Sequence, residues 1–316
     1  MINKKNKPHG IQLVKFKEWA LKSGYPFENN VAEIIFSIKS DPPSITRPIT
    51  FYATTENGDT AIRSVDFMCT FGLDVKSIPS WGRGREEKVY LKFLIEAKYS
   101  EDKFWFIPEV KTSEQSVVHF PHLIPRLTKD DFGDDVNIYR AEFESVSSCP
   151  KKWEWASSGR KVKEQSRERD SLADYQVQVT TAVHDILNKD LNKLGLRTPT
   201  NTYYSKDITI YIPIIVTNAP LYLLNEGVTV DKVNLSKIES DLCKIMDVLL
   251  VTQPHLFHIK NILRELSKNV SSVGRNSLRW VSCDMTLFPI IFTNPHKLKE
   301  IMEIFVKRVK SIKLLD

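Results

Sequence analysis

Residues 88–99 read KVYLKFLIEAKY. On a strand, successive side chains point to opposite faces. One face here is Val89, Leu91, Phe93, Ile95, Ala97 and Tyr99, apolar throughout. The other is Lys88, Tyr90, Lys92, Leu94, Glu96 and Lys98. The pattern predicts a strand whose back is packed along its whole length. Glu96 and Lys98 then point the same way at its end, a carboxylate and an ammonium side by side on a rigid element.

The stretch upstream predicts a partner for it. Residues 49–54 read as a strand, Asn57-Gly58 as a hairpin turn and residues 61–71 as a second strand. In the latter, Val65, Phe67, Cys69 and Phe71 form an apolar face, and Asp66 lies opposite with Ser64 and Met68. Asp is a poor strand former, so one in mid-strand needs a reason. If this strand pairs with 88–99, Asp66 and Glu96 converge. Two convergent carboxylates suit a hard divalent cation such as Mg²⁺. A neighbouring lysine can hold a metal-bound water or balance charge in a phosphoryl transition state.

Farther out, 103–107 reads as another strand, and 207–217 and 287–293 as apolar strands buried on both sides. Helical periodicity marks 11–23, a segment capped by Asn29 or Asn30 that runs through Ile38, residues 171–194, and a last helix opened by Pro295. Residues 76–87 read as a loop with the basic stretch Gly82-Arg83-Gly84-Arg85. Residues 151–169 carry Arg160, Lys161 and Lys163 among other charges and read as a solvated connection with a short polar helix. The order predicts one mixed α/β domain over 1–316, with insertions at 112–170 and 219–280.

Composition narrows the function. The 316 residues are 41% hydrophobic and 27% charged, with net charge +6, which excludes a wholly disordered chain. The excess of 45 basic over 39 acidic residues tolerates a polyanionic partner. No apolar run reaches the ~18–20 residues of a membrane span, and no secretory signal is visible. Cys69, Cys149, Cys243 and Cys283 are scattered without a CxxC pair, which points away from a disulfide framework or zinc site. A cytoplasmic location without membrane contact is expected. The sequence has neither GxxxxGK[ST] nor GxSxG.

Asp66, followed by Glu96-Ala97-Lys98 on the next strand and preceded by a helix carrying Glu33, resembles the PD-(D/E)xK nuclease superfamily, the fold of many restriction endonucleases. Residues 61–66, 94–98 and 103–106 look like the wording around that motif. Gly24-Tyr25-Pro26-Phe27-Glu28 and Val31-Ala32-Glu33 look like the opening helix of bacterial members. The resemblance covers roughly residues 10–110, and Val65 stands where the signature has proline. It implies a restriction-endonuclease-like core and a Mg²⁺- or Mn²⁺-dependent nuclease acting on nucleic acid, DNA before RNA, in restriction or phage defence. By the same resemblance Asp66 and Glu96 would hold the metal, Lys98 would position the attacking water, Glu33 would assist, and Gln176 would approach the scissile phosphate, with Gln178 beside it.

Arg83, Arg85, Arg160, Lys161 and Lys163 are the expected phosphate contacts. A homodimer or a partner protein of a defence system is the expected assembly. The alternative is an inactive nucleic-acid-binding or assembly subunit that keeps the fold. Two site residues have rival readings. Glu33 would be the third helical residue after an Asn30 cap, a structural role. Glu109-Val110-Lys111 is a second ExK tripeptide, read as surface because it follows Pro108.

Overall fold

The most apolar stretch of the chain becomes its centre. Strand β10 (Ile208–Thr217) is buried at every position. It runs parallel to β5 (Glu87–Lys98) from Ile208 opposite Val89 to Thr217 opposite Lys98. Its other edge is shared by β14 (Ile290–Thr293), parallel, and β7 (His122–Leu123), antiparallel. The computed structural model describes residues 9–39, 41–54, 60–75, 87–109, 119–123, 146–162, 169–195, 208–252 and 288–312.

These strands belong to a mixed twelve-stranded sheet. Beyond β5 lie β4 (Phe67–Val75) and β1 (Ser44–Thr46), both antiparallel neighbours. Beyond β14 come β13 (Val248–Val251), β8 (Glu154–Val162), β6 (Lys103–Pro108), β11 (Leu221–Leu224) and β12 (Cys243–Met246), with β9 (Arg169–Ser171) beside β8. A separate hairpin pairs β2 (Ile49–Thr54) with β3 (Thr60–Val65).

Helices cover both faces. On one, α2 (Tyr25–Phe36) and α5 (Pro295–Lys310) bury Val31, Ile35, Leu298, Ile301 and Phe305 against Leu91, Phe93 and Ile95. On the other, α3 (Ala173–Gly195) buries Val179, Val183, Ile186 and Leu187 with Leu94, Tyr211 and Ile215. Each helix therefore presents one apolar stripe to the sheet. Asp190 fastens α3 further, accepting from the Tyr211 hydroxyl at 2.8 Å and pairing with Lys92. Two shorter elements are peripheral: α1 (His9–Lys22) precedes α2, and α4 (Val230–Leu235) follows β11.

The sheet curls around α3. The Phe106 and Phe292 rings are 5.2 Å apart, although β6 and β14 are three strands apart in the sheet. A flat sheet would hold them about 14 Å apart. At the exit of β5 and β10, the Asn218 side chain accepts from the Ser100 N–H at 2.8 Å and donates to its carbonyl at 3.0 Å. Both chains then continue side by side as β6 and β11, again parallel.

Several expectations change. Residues 61–71 are not one strand: the chain bends at Asp66, so Val65 joins the core beneath α3 while Phe67 and Cys69 join the other. Residues 151–169 hold strands β8 and β9 rather than a solvated connection. Trp153 and Ala156 are buried, and a Cβ on Gly159 would lie 2.6 Å from the Phe106 ring, so only glycine fits there. Finally, α2 starts at Tyr25 and not after Asn30. Gly24, at φ 77°, accepts from the Phe27 and Glu28 N–H groups, and Pro26 suits a first turn that needs no donor. Residues 221–251, within the expected second insertion, supply β11, β12 and β13 of the same sheet. Among the described residues no helix is long and apolar enough to cross a membrane.

Candidate active site

The β4–β5 ladder ends with Phe67 opposite Ile95. One step further along the same antiparallel pairing, Asp66 faces Glu96. The bend at Asp66 turns its carboxylate to β5, where Oδ2 accepts from the Ala97 N–H at 2.7 Å. The alternation of β5 puts Glu96 and Lys98 on the face toward α3, and Lys98 Nζ is ion-paired with Glu96 Oε1. Glu96 is buried, and its Oε2 is shut from solvent with no hydrogen-bond partner. The Lys98 ammonium lies 5.4 Å from the centre of the Tyr175 ring on α3.

Burial sets the electrostatics. It pushes the Glu96 carboxyl up to about 7, with Lys98 opposing the shift and Asp66 reinforcing it. Asp66 is also raised by burial, against the Ala97 N–H and the Lys98 and Arg47 charges. Burial pulls Lys98 down, but Glu96 and Asp66 outweigh it and the net shift is upward. Lys98 is therefore held as a cation, suited to stabilise negative charge rather than to take a proton.

A further carboxylate feels the Asp66 charge, and it is Glu28. Its pKa is raised by burial and then by the Asp66 charge, with Arg47 and Lys98 opposing. Arg47 is exposed; its guanidinium sits 5.3 Å from the Phe67 ring centre and 3.5 Å from Asn29 Oδ1. Glu33 does not join the group: it is exposed and about 140° around the helix from Glu28. The signal for Glu28 is its stripe. With the helix starting at Tyr25, Glu28 shares a face with Val31, Ala32 and Ile35, all buried.

The other expected residues divide. Gln176 is buried and its Nε2 has no hydrogen-bond partner. Gln178 donates to the Ser64 carbonyl, tying α3 to the strand that leads into Asp66. On β8, Arg160 is exposed and Lys161 is paired with Asp102 at 3.2 Å. Arg83, Arg85 and Lys163 lie outside the described residues. Glu109 follows the end of β6, so Glu96 is the ExK glutamate beside Asp66.

Among the described residues, no group of three or more His, Cys, Asp or Glu is gathered for a metal ion. What is gathered is a pair, Asp66 and Glu96, with one carboxylate oxygen lacking any donor. That set fits Mg²⁺, which is commonly bound through one or two carboxylates and keeps several waters. Comparison with protein-family models, curated proteins and solved structures finds no match.

Proposed function

We propose that the chain is a metal-dependent nuclease of the restriction-endonuclease-like class that hydrolyses phosphodiester bonds in DNA, in the setting of restriction or phage defence. The observation that carries this reading is the meeting of Asp66, Glu96 and Lys98, whose pKa Glu96 and Asp66 hold up against burial, at the end of one core strand. Asp66 and Glu96 would hold Mg²⁺ or Mn²⁺ through carboxylate oxygens. The cation's contribution there is to polarise a phosphoryl oxygen and acidify a water.

The chain's own groups do the rest. Lys98 donates to the attacking water and to the negative charge that builds on the phosphoryl group. Its pairing with Glu96 and the Tyr175 ring keep the ammonium in one place, so little reorganisation is needed at reaction. Burial of Glu96 lowers the local dielectric and strengthens each of these contacts. Arg47, exposed at the rim, is placed to hold a flanking phosphate. The same reading takes the protein as cytoplasmic, as a homodimer or with a partner of a defence system.

The test is incubation with supercoiled plasmid, linear duplex and single strands under Mg²⁺, Mn²⁺ or EDTA. Cleavage with either metal and none in EDTA is the expected result. Activity in EDTA overturns the metal mechanism, and binding without cleavage under every condition favours the inactive subunit.

A further inference from the structure

Charge is spread unevenly along the chain. Residues 1–25 hold six lysines and one glutamate, which makes +5 of the net +6. Residues 26–316 are close to neutral. A local surplus of this kind, rather than the total, points to a polyanionic partner. Helix α1 carries Lys15, Lys17 and Lys22 of it, all exposed. Among the described residues none of the three has an ion-pair partner.

The order of residues on α1 says what kind of polyanion. Lys15, Trp19 and Lys22 fall at i, i+4 and i+7, one stripe about 10 Å long. Trp19 is 65% exposed. Ala20, the half-buried position of α1, lies roughly 130° round the helix from that stripe, so the stripe faces outward. The other exposed apolar residues, Val14 and Leu21, share a second stripe with Lys17 and Glu18. Charged and apolar side chains are interleaved, whereas a helix lying in a bilayer surface segregates them on opposite faces. Interleaved cations and rings suit a nucleic-acid strand, which alternates phosphates with base faces.

The end of α1 leads to the Asp66–Glu96 pair. Two residues after Lys22, Gly24 opens α2, and the Glu28 carboxylate lies beside it: a Cβ on Gly24 would stand 3.6 Å from Glu28 Oε1. Next to Glu28, Asn29 Oδ1 is 3.5 Å from the guanidinium of Arg47, which sits over the ring of Phe67, the residue after Asp66. The stripe therefore begins beside the rim of the candidate site and extends about 10 Å along α1.

We propose that α1 holds a single-stranded stretch of nucleic acid next to the cleavage site, with Lys15 and Lys22 on phosphates and Trp19 stacked on an unpaired base between them. The proposal rests on the nuclease reading for what then happens to the strand. The stripe matches about three stacked nucleotides at ~3.4 Å each. In a duplex the base faces are already stacked, and the indole has none to meet.

The experiment follows the fluorescence anisotropy of a labelled oligothymidylate of about twelve nucleotides, and of a duplex of equal length, in EDTA at several salt concentrations. Wild type is compared with Trp19→Ala and with the double variant Lys15→Ala/Lys22→Ala, each fold checked by circular dichroism. All three positions are exposed, so neither variant removes buried packing. Trp19→Ala is expected to bind the oligothymidylate about tenfold more weakly and the duplex as before. The double variant should flatten the log–log salt slope for the single strand by about 1.4, two contacts at roughly 0.7 each. Unchanged oligothymidylate affinity in folded Trp19→Ala overturns the proposal, and so does an unchanged slope in the folded double variant. Binding to phosphatidylserine vesicles that these variants abolish, with the oligothymidylate held as before, assigns α1 to a membrane surface instead. Binding in EDTA is read apart from cleavage. Weakened binding in the variants with no wild-type cleavage in Mg²⁺ keeps α1 as a binding surface and removes the nuclease reading; wild-type cleavage with unaltered binding in the variants does the reverse.

Discussion

Asp66 sits where the chain leaves the β2–β3 hairpin and enters the main sheet, and its carboxylate ties the bend to β5 by taking the Ala97 N–H. That local duty and the proposed metal-binding duty share one side chain. The helix carboxylate that feels the Asp66 charge is Glu28, so Glu28→Gln should lower the cleavage rate, whereas Glu33→Gln should leave it at the wild-type value. Single-turnover rates check this, and equal rates for the two variants would remove Glu28 from the site. Arg47→Ala should flatten the salt dependence of duplex binding by about one unit of log–log slope, the share of one phosphate contact. An unchanged slope in a folded variant would take Arg47 off the binding surface. Glu96 and Lys98 could be read as neighbours because period-two alternation fixes which side chains of β5 share a face, whereas Asp66 stood out as an aspartate in a strand-like stretch and the bend that turns it to β5 was not legible. Glu28 was not, because placing the helix start at Asn29 or Asn30 instead of Gly24 leaves Glu28 outside the helix. Arg47 was not either, since a single arginine before proline carries no pattern.

Helix α3 carries a residue with no counterpart in the proposed chemistry. His184 is buried, both ring nitrogens lack hydrogen-bond partners, and its ring lies 5.7 Å from that of Phe288. Burial lowers its pKa from 6.5 to about 4. The unfolded chain takes up this proton near pH 6.5 and the folded chain only near 4, so the neutral ring favours folding at high pH. The contribution of His184 should therefore be level above pH 6.5 and fall by about 3 kcal/mol between 6.5 and 4, opposed in that window by Glu96, whose raised pKa of about 7 favours folding as the pH falls. Urea melts at several pH values read it, and His184→Leu should remove part of the slope. An equal slope in the variant would assign the acid sensitivity elsewhere. The same scale shows where the sequence misled. The charges of 151–169 masked strand β8, whose long side chains reach solvent while Trp153 and Ala156 stay buried. By contrast β10, apolar at nearly every position, could be read directly.

For the whole molecule, a mixed α/β sheet flanked by helices could be read from the order of elements, but its strand order could not. Strand β8 lies between β13 and β6, with roughly ninety residues separating Trp155 from its partner Leu250, and no local pattern encodes such a pairing. Helix α3 packs on the face of β5 and β10, and the contact of Tyr175 with Lys98 follows from it. The proposed chemistry therefore rests on one place where sheet, helix and bend meet. Plasmid cleavage by folded Glu96→Gln in Mg²⁺ tests it most directly. The substitution keeps the side chain's size and removes the charge that pairs with Lys98 and would hold the cation. Loss of several orders of magnitude in rate is expected, with Glu96→Gln combined with Asp66→Asn little worse than either alone. Wild-type cleavage by Glu96→Gln would contradict it.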